Sequence, residues 1–219
     1  MERYVIKTSD GSSTIRIEEM DETYHSIHGA LNEAIHVFIS NGLDHVDKAH
    51  IRVFEMGFGT GFNALLAYSF AERSKRKVSY HSIEAFPIEE KLVKELNYVE
   101  LLGEEYNKPF LAMHAARWNE VEAVSDFFLL KKIHSKIEFF ELERGAYDII
   151  FYDAFGPRVQ GYLWTTEVLK KMYDGLSENG VLVTYCAQGQ FKRNLKNVGF
   201  KVESLPGPPG KREMTRAYK

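Results

Sequence analysis

Three acidic residues and one glycine-rich turn are the parts of this sequence whose types and spacing suit chemistry. In Val53-Phe54-Glu55-Met56-Gly57-Phe58-Gly59-Thr60-Gly61-Phe62, glycines recur at every second position between a β-branched, aromatic run and an apolar helical stretch. Glycine has no Cβ, so the turn leaving the strand is free to take positive φ and to let a ligand approach the backbone. A helix from about Asn63 then offers its unpaired N–H groups. That is the outline of a nucleotide-type cofactor site. The spacing excludes the dinucleotide fingerprint, whose third small residue falls at the sixth position for helix–strand packing; here that position is Phe62. Glu84 closes the apolar segment Val78-Ser79-Tyr80-His81-Ser82-Ile83, and an acid at the tip of the next strand, about 20 residues on, accepts both hydroxyls of a ribose. Asp153 ends Asp148-Ile149-Ile150-Phe151-Tyr152 and precedes Ala154-Phe155-Gly156-Pro157, a rigid turn of small residues that a polar ligand can reach. An alkyl ammonium has no free lone pair, so a carboxylate there accepts the proton of an attacking amine or orients the neutral amine. Taken singly, each feature has a plainer reading as a tight turn, an exposed capping glutamate or an Asx turn. Their placement on the tips of the first, second and fourth core strands favours the ligand site.

Around these acids stand aromatic and basic residues. Phe155, Tyr162 and Trp164 follow Asp153 within a dozen positions, and their faces suit a stacked base or a sulfonium cation; at this density aromatics also build cores. The net charge of −3 is uneven: from Gln190 to Lys219 eight basic residues face two acids, so this end carries +6 and the remainder −9. Such asymmetry lets an acidic protein hold an anionic partner locally, with Lys192, Arg193, Lys196, Lys211 and Arg212 as the expected RNA-binding residues. His25 and His28 have no accompanying carboxylate or cysteine cluster, so no metal site is expected. The single cysteine, Cys186, precludes an internal disulfide and reads as a small buried residue.

The elements that must position these residues follow from periodicity. Tyr4–Lys7 and Thr14–Ile17 flank Ser9-Asp10-Gly11-Ser12, a hairpin signal. Gly29–Ile39 has helical spacing and stops at Asn41-Gly42. Then come strand Ile51–Glu55, helix Asn63–Arg73, strand Val78–Glu84, helix Ile88–Leu102, an ambiguous and helix-leaning stretch over 104–125, and strands Phe127–Ile133 and Tyr147–Asp153. Helix Thr165–Leu176, strand Gly180–Tyr185, helix Gln190–Val198 and strands Lys201–Leu205 and Met214–Tyr218 complete the order. Alternating strands and helices imply a parallel, doubly wound sheet, and the last two strands, joined only by Pro206-Gly207-Pro208-Pro209-Gly210, must pair antiparallel. We expect a hairpin appendage over residues 1–20 and one domain over 21–219. With no apolar run of about 18 residues and no signal-peptide layout, no membrane association and a cytoplasmic location are expected.

Three motifs in this order carry a family resemblance: Glu55-Met56-Gly57-Phe58-Gly59-Thr60-Gly61-Phe62-Asn63; Asp153-Ala154-Phe155-Gly156-Pro157 through Leu163-Trp164-Thr165; and Gly207-Pro208-Pro209-Gly210-Lys211-Arg212-Glu213-Met214. From about Tyr24 onward the chain resembles the tRNA 5-methylaminomethyl-2-thiouridine methyltransferase family, that is, the MnmC methyltransferase domain or its standalone form MnmD. The resemblance implies a class I S-adenosyl-L-methionine (SAM)-dependent methyltransferase fold: Rossmann-like, with a mostly parallel seven-stranded sheet and an antiparallel C-terminal strand. It implies SAM as cofactor, bound by Glu55, Gly57, Gly59, Gly61, Glu84 and Asp153, and tRNA as partner. The reaction would be N-methylation of the 5-aminomethyl group of a wobble (2-thio)uridine, with Asp153 as the catalytic residue and Phe155, Tyr162 and Trp164 around the substrate. Two features depart from the pattern. The bifunctional members fuse this domain to a flavin oxidase that produces the amine, whereas this sequence runs to Lys219, so a separate enzyme is expected to supply the aminomethyl-uridine. The acid expected after the third core strand to meet adenine is replaced, the stretch reading Ile133-His134-Ser135-Lys136-Ile137. Competing readings are a small-molecule amine transferase such as a polyamine aminopropyltransferase, which needs a closed acidic pocket and no basic C-terminal segment, and a non-catalytic RNA- or nucleotide-binding module.

Overall fold

A computed structural model describes residues 2–219. Its centre is an eight-stranded sheet in the order β10-β11-β9-β8-β4-β5-β7-β6. The strands are β4 (His50–Met56), β5 (Lys77–Glu84), β6 (Val121–Ala123), β7 (Phe128–His134), β8 (Tyr147–Tyr152), β9 (Leu176–Thr184), β10 (Lys201–Pro206) and β11 (Glu213–Tyr218). The pairs β4–β5, β4–β8, β5–β7 and β8–β9 are parallel, whereas β11 lies antiparallel between β9 and β10. The expected mostly parallel sheet with a late antiparallel strand is therefore present, with one strand more than expected. That strand is β6, antiparallel to β7 at the edge; only the first half of the ambiguous 104–125 stretch is helical.

The central strands are buried on both faces, and their residues alternate between two cores. Ile51, Val53, Ile149 and Phe151 face α1 (Ala30–Ala34, continuing as a π-helix over Ile35–Ser40) and α2 (Phe62–Ser74). Phe54, Met56, Ile150 and Tyr152 face α6 (Thr166–Gly175) and α7 (Gly189–Val198). This is the period-2 pattern of a sheet covered by helices on both sides. The π-helical turns, wider than those of an α-helix, bury Val37, Phe38 and Ile39 in succession, with Phe38 5.0 Å from Phe151 between ring centroids.

The helix expected over Ile88–Leu102 is two short ones, α3 (Glu90–Glu95) and α4 (Tyr98–Leu102), separated by extended Leu96. Tertiary hydrogen bonds override the helical pattern at Asn97. Its Oδ1 accepts from the Ser13 amide and hydroxyl at 2.8 Å each, its Nδ2 donates to the Gly11 carbonyl at 2.9 Å, and its N–H donates to Ser13 Oγ at 2.8 Å. These bonds fasten the hairpin β1 (Arg3–Lys7) and β2 (Ser13–Ile17), which gains a short third strand β3 (Glu22–Thr23). The three-stranded sheet delivers Tyr24 and His25 to the C-terminal tips of β4 and β8. Helix α5 (Asn107–Ala115) covers the other side of the glycine turn. Among the described residues no helix is long and apolar enough to cross a membrane.

Candidate active site

The chain turns from β4 to β5 on one side of the sheet and later from β8 to β9 on the other, so β4 and β8 frame the crevice where ligands bind in doubly wound sheets. Register places Met56 beside Tyr152, and the next residues, Gly57 and Asp153, leave the sheet together. Gly57, Gly59 and Gly61 take φ of +93°, +50° and +73°, the left-handed region that L side chains avoid. A Cβ on Gly59 would stand 3.0 Å from Tyr24 Cδ1, so this glycine lets the N-terminal segment close over the turn. Gly61 caps α2, and its carbonyl accepts from the Leu65 N–H at 3.0 Å.

A cavity of about 370 Å³ opens here, lined among others by Gly57, Gly59, Asn63, Glu84, Asp153, Phe155 and Tyr162, within the size range of small-molecule sites. Glu84 Oε2 accepts from the Gly59 N–H at 2.9 Å and Oε1 from the Phe86 N–H at 2.7 Å. The carboxylate thus ties the β5 tip to the glycine turn, and each oxygen keeps a lone pair toward the cavity. Asp153 is half-buried, with Asn63 Nδ2 donating to its Oδ2 at 2.7 Å. Burial foremost, and then the charge of Glu33, push its carboxyl up to about 7, against the opposing pull of Asn63 and Lys211. A carboxyl at that value exchanges protons near neutral pH. Asn63, the second residue of α2, belongs to the site although its sequence position assigned it no role in binding or catalysis.

Other expected site residues lie elsewhere. Glu55 is 1% exposed beneath the turn and does not line the cavity. Burial raises its carboxyl to about 8, against the opposing pull of Ser82, Tyr80 and Asn63. Trp164 is a correction: it is buried in the core, its Nε1–H donating to the Phe155 carbonyl at 2.8 Å and its ring edge-on to Tyr152 and Phe191. It braces the turn after Asp153 without reaching the cavity. Of the basic residues, Lys192 is paired with Glu213 at 2.7 Å and Lys211 with Glu33, Arg193 bonds Gln190 at 2.8 Å, and Arg193, Lys196 and Arg212 are exposed. Where an adenine-binding acid was missing from the sequence, Ser135, Lys136 and Glu138 line the cavity.

Sequence reasoning missed Tyr24 and His25. Tyr24 meets Phe155 edge-to-face at 5.2 Å, and His25 Nε2 bonds Thr60 Oγ1 at 2.8 Å. Burial and the Lys211 charge hold that imidazole down at about 4, hence neutral. No periodic signal marks these residues, which reach the site through a loop. Among the described residues no group of three or more His, Cys, Asp or Glu is placed to hold a metal ion.

Comparisons with known proteins agree with this geometry. A family profile described as S-adenosyl-L-methionine-dependent methyltransferase matches residues 95–219. An uncharacterised protein of Methanocaldococcus jannaschii is 27% identical over all of this chain and 60% of its own length. The tRNA 5-methylaminomethyl-2-thiouridine biosynthesis bifunctional protein MnmC of Leptospira interrogans is 31% identical over 90% of this chain and 32% of its own length. The chain therefore spans between about a third and three fifths of these curated relatives. The crystal structure of MnmC2 from Aquifex aeolicus superposes with a TM-score of 0.77 at 25% identity, covering 99% of this chain and 70% of that one. The positive-φ glycine turn, the acid on the neighbouring strand tip and the cavity between them fit the cofactor that the profile names. The chain belongs to the S-adenosyl-L-methionine-dependent methyltransferases and, within them, to the MnmC methyltransferase family.

Proposed function

We propose that the protein methylates the 5-aminomethyl nitrogen of a wobble (2-thio)uridine in tRNA, giving 5-methylaminomethyl-(2-thio)uridine. The observation that carries this reading is the Asp153 carboxyl at the cavity wall beside the glycine turn, raised to about 7 and oriented by Asn63. SAM, when bound, supplies a sulfonium methyl open to displacement by an amine lone pair. The glycine turn and the start of α2 would hold the carboxyl end of the cofactor and Glu84 its ribose, and Glu138, which lines the cavity, would be the acceptor for the adenine amino group. Asp153 takes the proton that the amine must lose, or fixes the neutral amine in line. Relatives named for tRNA 5-methylaminomethyl-2-thiouridine biosynthesis support the choice of acceptor. In this reading a separate enzyme supplies the aminomethyl-uridine, and tRNA places the reaction in the cytoplasm.

The test is incubation with labelled SAM and tRNA bearing 5-aminomethyluridine, beside unmodified tRNA, putrescine and spermidine. Label is expected only on the aminomethylated tRNA. Label on the polyamines, or on none of the four, overturns the reading.

A further inference from the structure

The cavity beside Asp153 adjoins a second one, of about 460 Å³, the two sharing Tyr24, His25, Ala154 and Phe155 in their walls. The second in turn shares Gly156, Tyr185 and Lys211 with an open groove of about 580 Å³ that carries Arg212. Cofactor binding accounts for the first chamber alone.

In the second chamber the side chain of Glu33, on α1, is 9% exposed. Its Oε1 accepts from the Ser26 N–H at 3.3 Å, and its Oε2 pairs closely with Lys211 Nζ. The same ammonium lies 3.9 Å from the centroid of the Tyr185 ring, and the Tyr185 hydroxyl fixes that ring by donating to the Ala154 carbonyl at 2.7 Å. A loop lysine ordinarily carries its charge out to water. Lys211 turns inward, to a place where its charge acts on both Asp153 and His25. A carboxylate facing an aromatic ring is what a primary ammonium binds, and a lysine tip is chemically a primary ammonium on a methylene, as an aminomethyl substituent is.

We infer that the second cavity is the acceptor's chamber and that Glu33 and Tyr185 form its ammonium subsite, which Lys211 fills until an incoming primary ammonium displaces it. The inference rests on the reading of a primary amine as acceptor. The Tyr24–Phe155 wall gives the flat base its resting face, and the amine docks as its ammonium on Glu33 before it reaches Asp153, which lines the first cavity within the field of Glu33, for methyl transfer. A displaced Lys211 joins Arg212 on the rim of the outer groove, where a phosphate replaces Glu33 as its counter-ion.

Calorimetry on the full chain with 5-aminomethyluridine and uridine as probes tests this. Removing a resident competitor raises apparent affinity by the fraction of time it held the site, so Lys211→Met is expected to bind 5-aminomethyluridine about tenfold tighter, with uridine binding unchanged. Lys211→Gln, which keeps a neutral donor toward Glu33, is expected to move in the same direction, with melting temperatures establishing that both variants are folded. Adding Glu33→Gln to Lys211→Met should abolish the gain. Unchanged or weaker binding of the aminomethyl nucleoside by both folded Lys211 variants overturns the inference, as does a gain that survives Glu33→Gln. Methyl transfer by the wild-type protein to aminomethylated tRNA separates the two readings. Transfer without tightening removes the subsite alone, and tightening without transfer removes the methylation reading alone.

Discussion

Asp153 is held where folding and chemistry pull in opposite directions. Its carboxyl ordinarily releases its proton near 3.8 and here does so at about 7, so between those values the folded protein keeps a proton that the unfolded chain has lost. Stability therefore declines as pH rises across that window, and Glu55, raised to about 8, extends the decline upward. Asp153→Asn removes the charge and keeps the shape. It is expected to be more stable than the wild type at pH 8 by about 1–3 kcal/mol, with the gap closing toward pH 4, while turnover falls by roughly 10²-fold. Chemical denaturation at the two pH values and a methyl-transfer assay check both halves; equal stability at pH 8 would place the carboxylate in water. The wild-type profile of kcat/KM should rise as pH climbs through about 7. For Glu84, which bonds the glycine turn and faces the cavity, replacement by Ala is expected to weaken SAM binding by about 1.5–3 kcal/mol, read by calorimetry on the folded variant.

The elements show why some of the site was legible and some was not. Gly57–Gly61, Glu84 and Asp153 sit directly on strand tips, and strands buried on both faces announce themselves as apolar runs, so the sequence locates their ends. Trp164 follows no such rule: in an irregular segment, whether a ring faces cavity or core depends on which partner meets its N–H, here the Phe155 carbonyl. Tyr24, His25 and Glu33 reach the site from a loop and a short helix whose positions depend on contacts far along the chain. The break between α3 and α4 has the same origin, since only the folded hairpin reveals what Asn97 bonds. Asn97→Ala should therefore loosen the N-terminal sheet, costing about 2–3 kcal/mol for the buried polar groups left unpaired. Amide exchange should speed up in β1 and β2 while β4, β5 and β8 stay protected. Uniform loss of protection would show that the sheet and the hairpin melt as one unit.

Over the whole molecule, the five basic residues expected to hold RNA divide into two groups. Lys192 and Lys211 are paired with Glu213 and Glu33, whereas Arg193, Lys196 and Arg212 are exposed. If these three grip phosphates, replacing them with Gln should weaken tRNA binding and flatten its salt dependence by about one unit of log–log slope per lost contact, with SAM affinity unchanged. An unaltered salt slope would move the RNA to another face.

The placement of β11 between β9 and β10 also sets a timetable for synthesis. Residues of β9 and β10 are synthesised before their common neighbour, so β9 keeps an open, apolar edge until Glu213–Tyr218 pairs with it. Open edges recruit other strands, and closure of this one is a late, long-range event of the kind that slows folding. Lys211 lies two residues ahead of that strand, so the wall of the second cavity and the closing of the sheet are completed in the same moment of the chain's emergence.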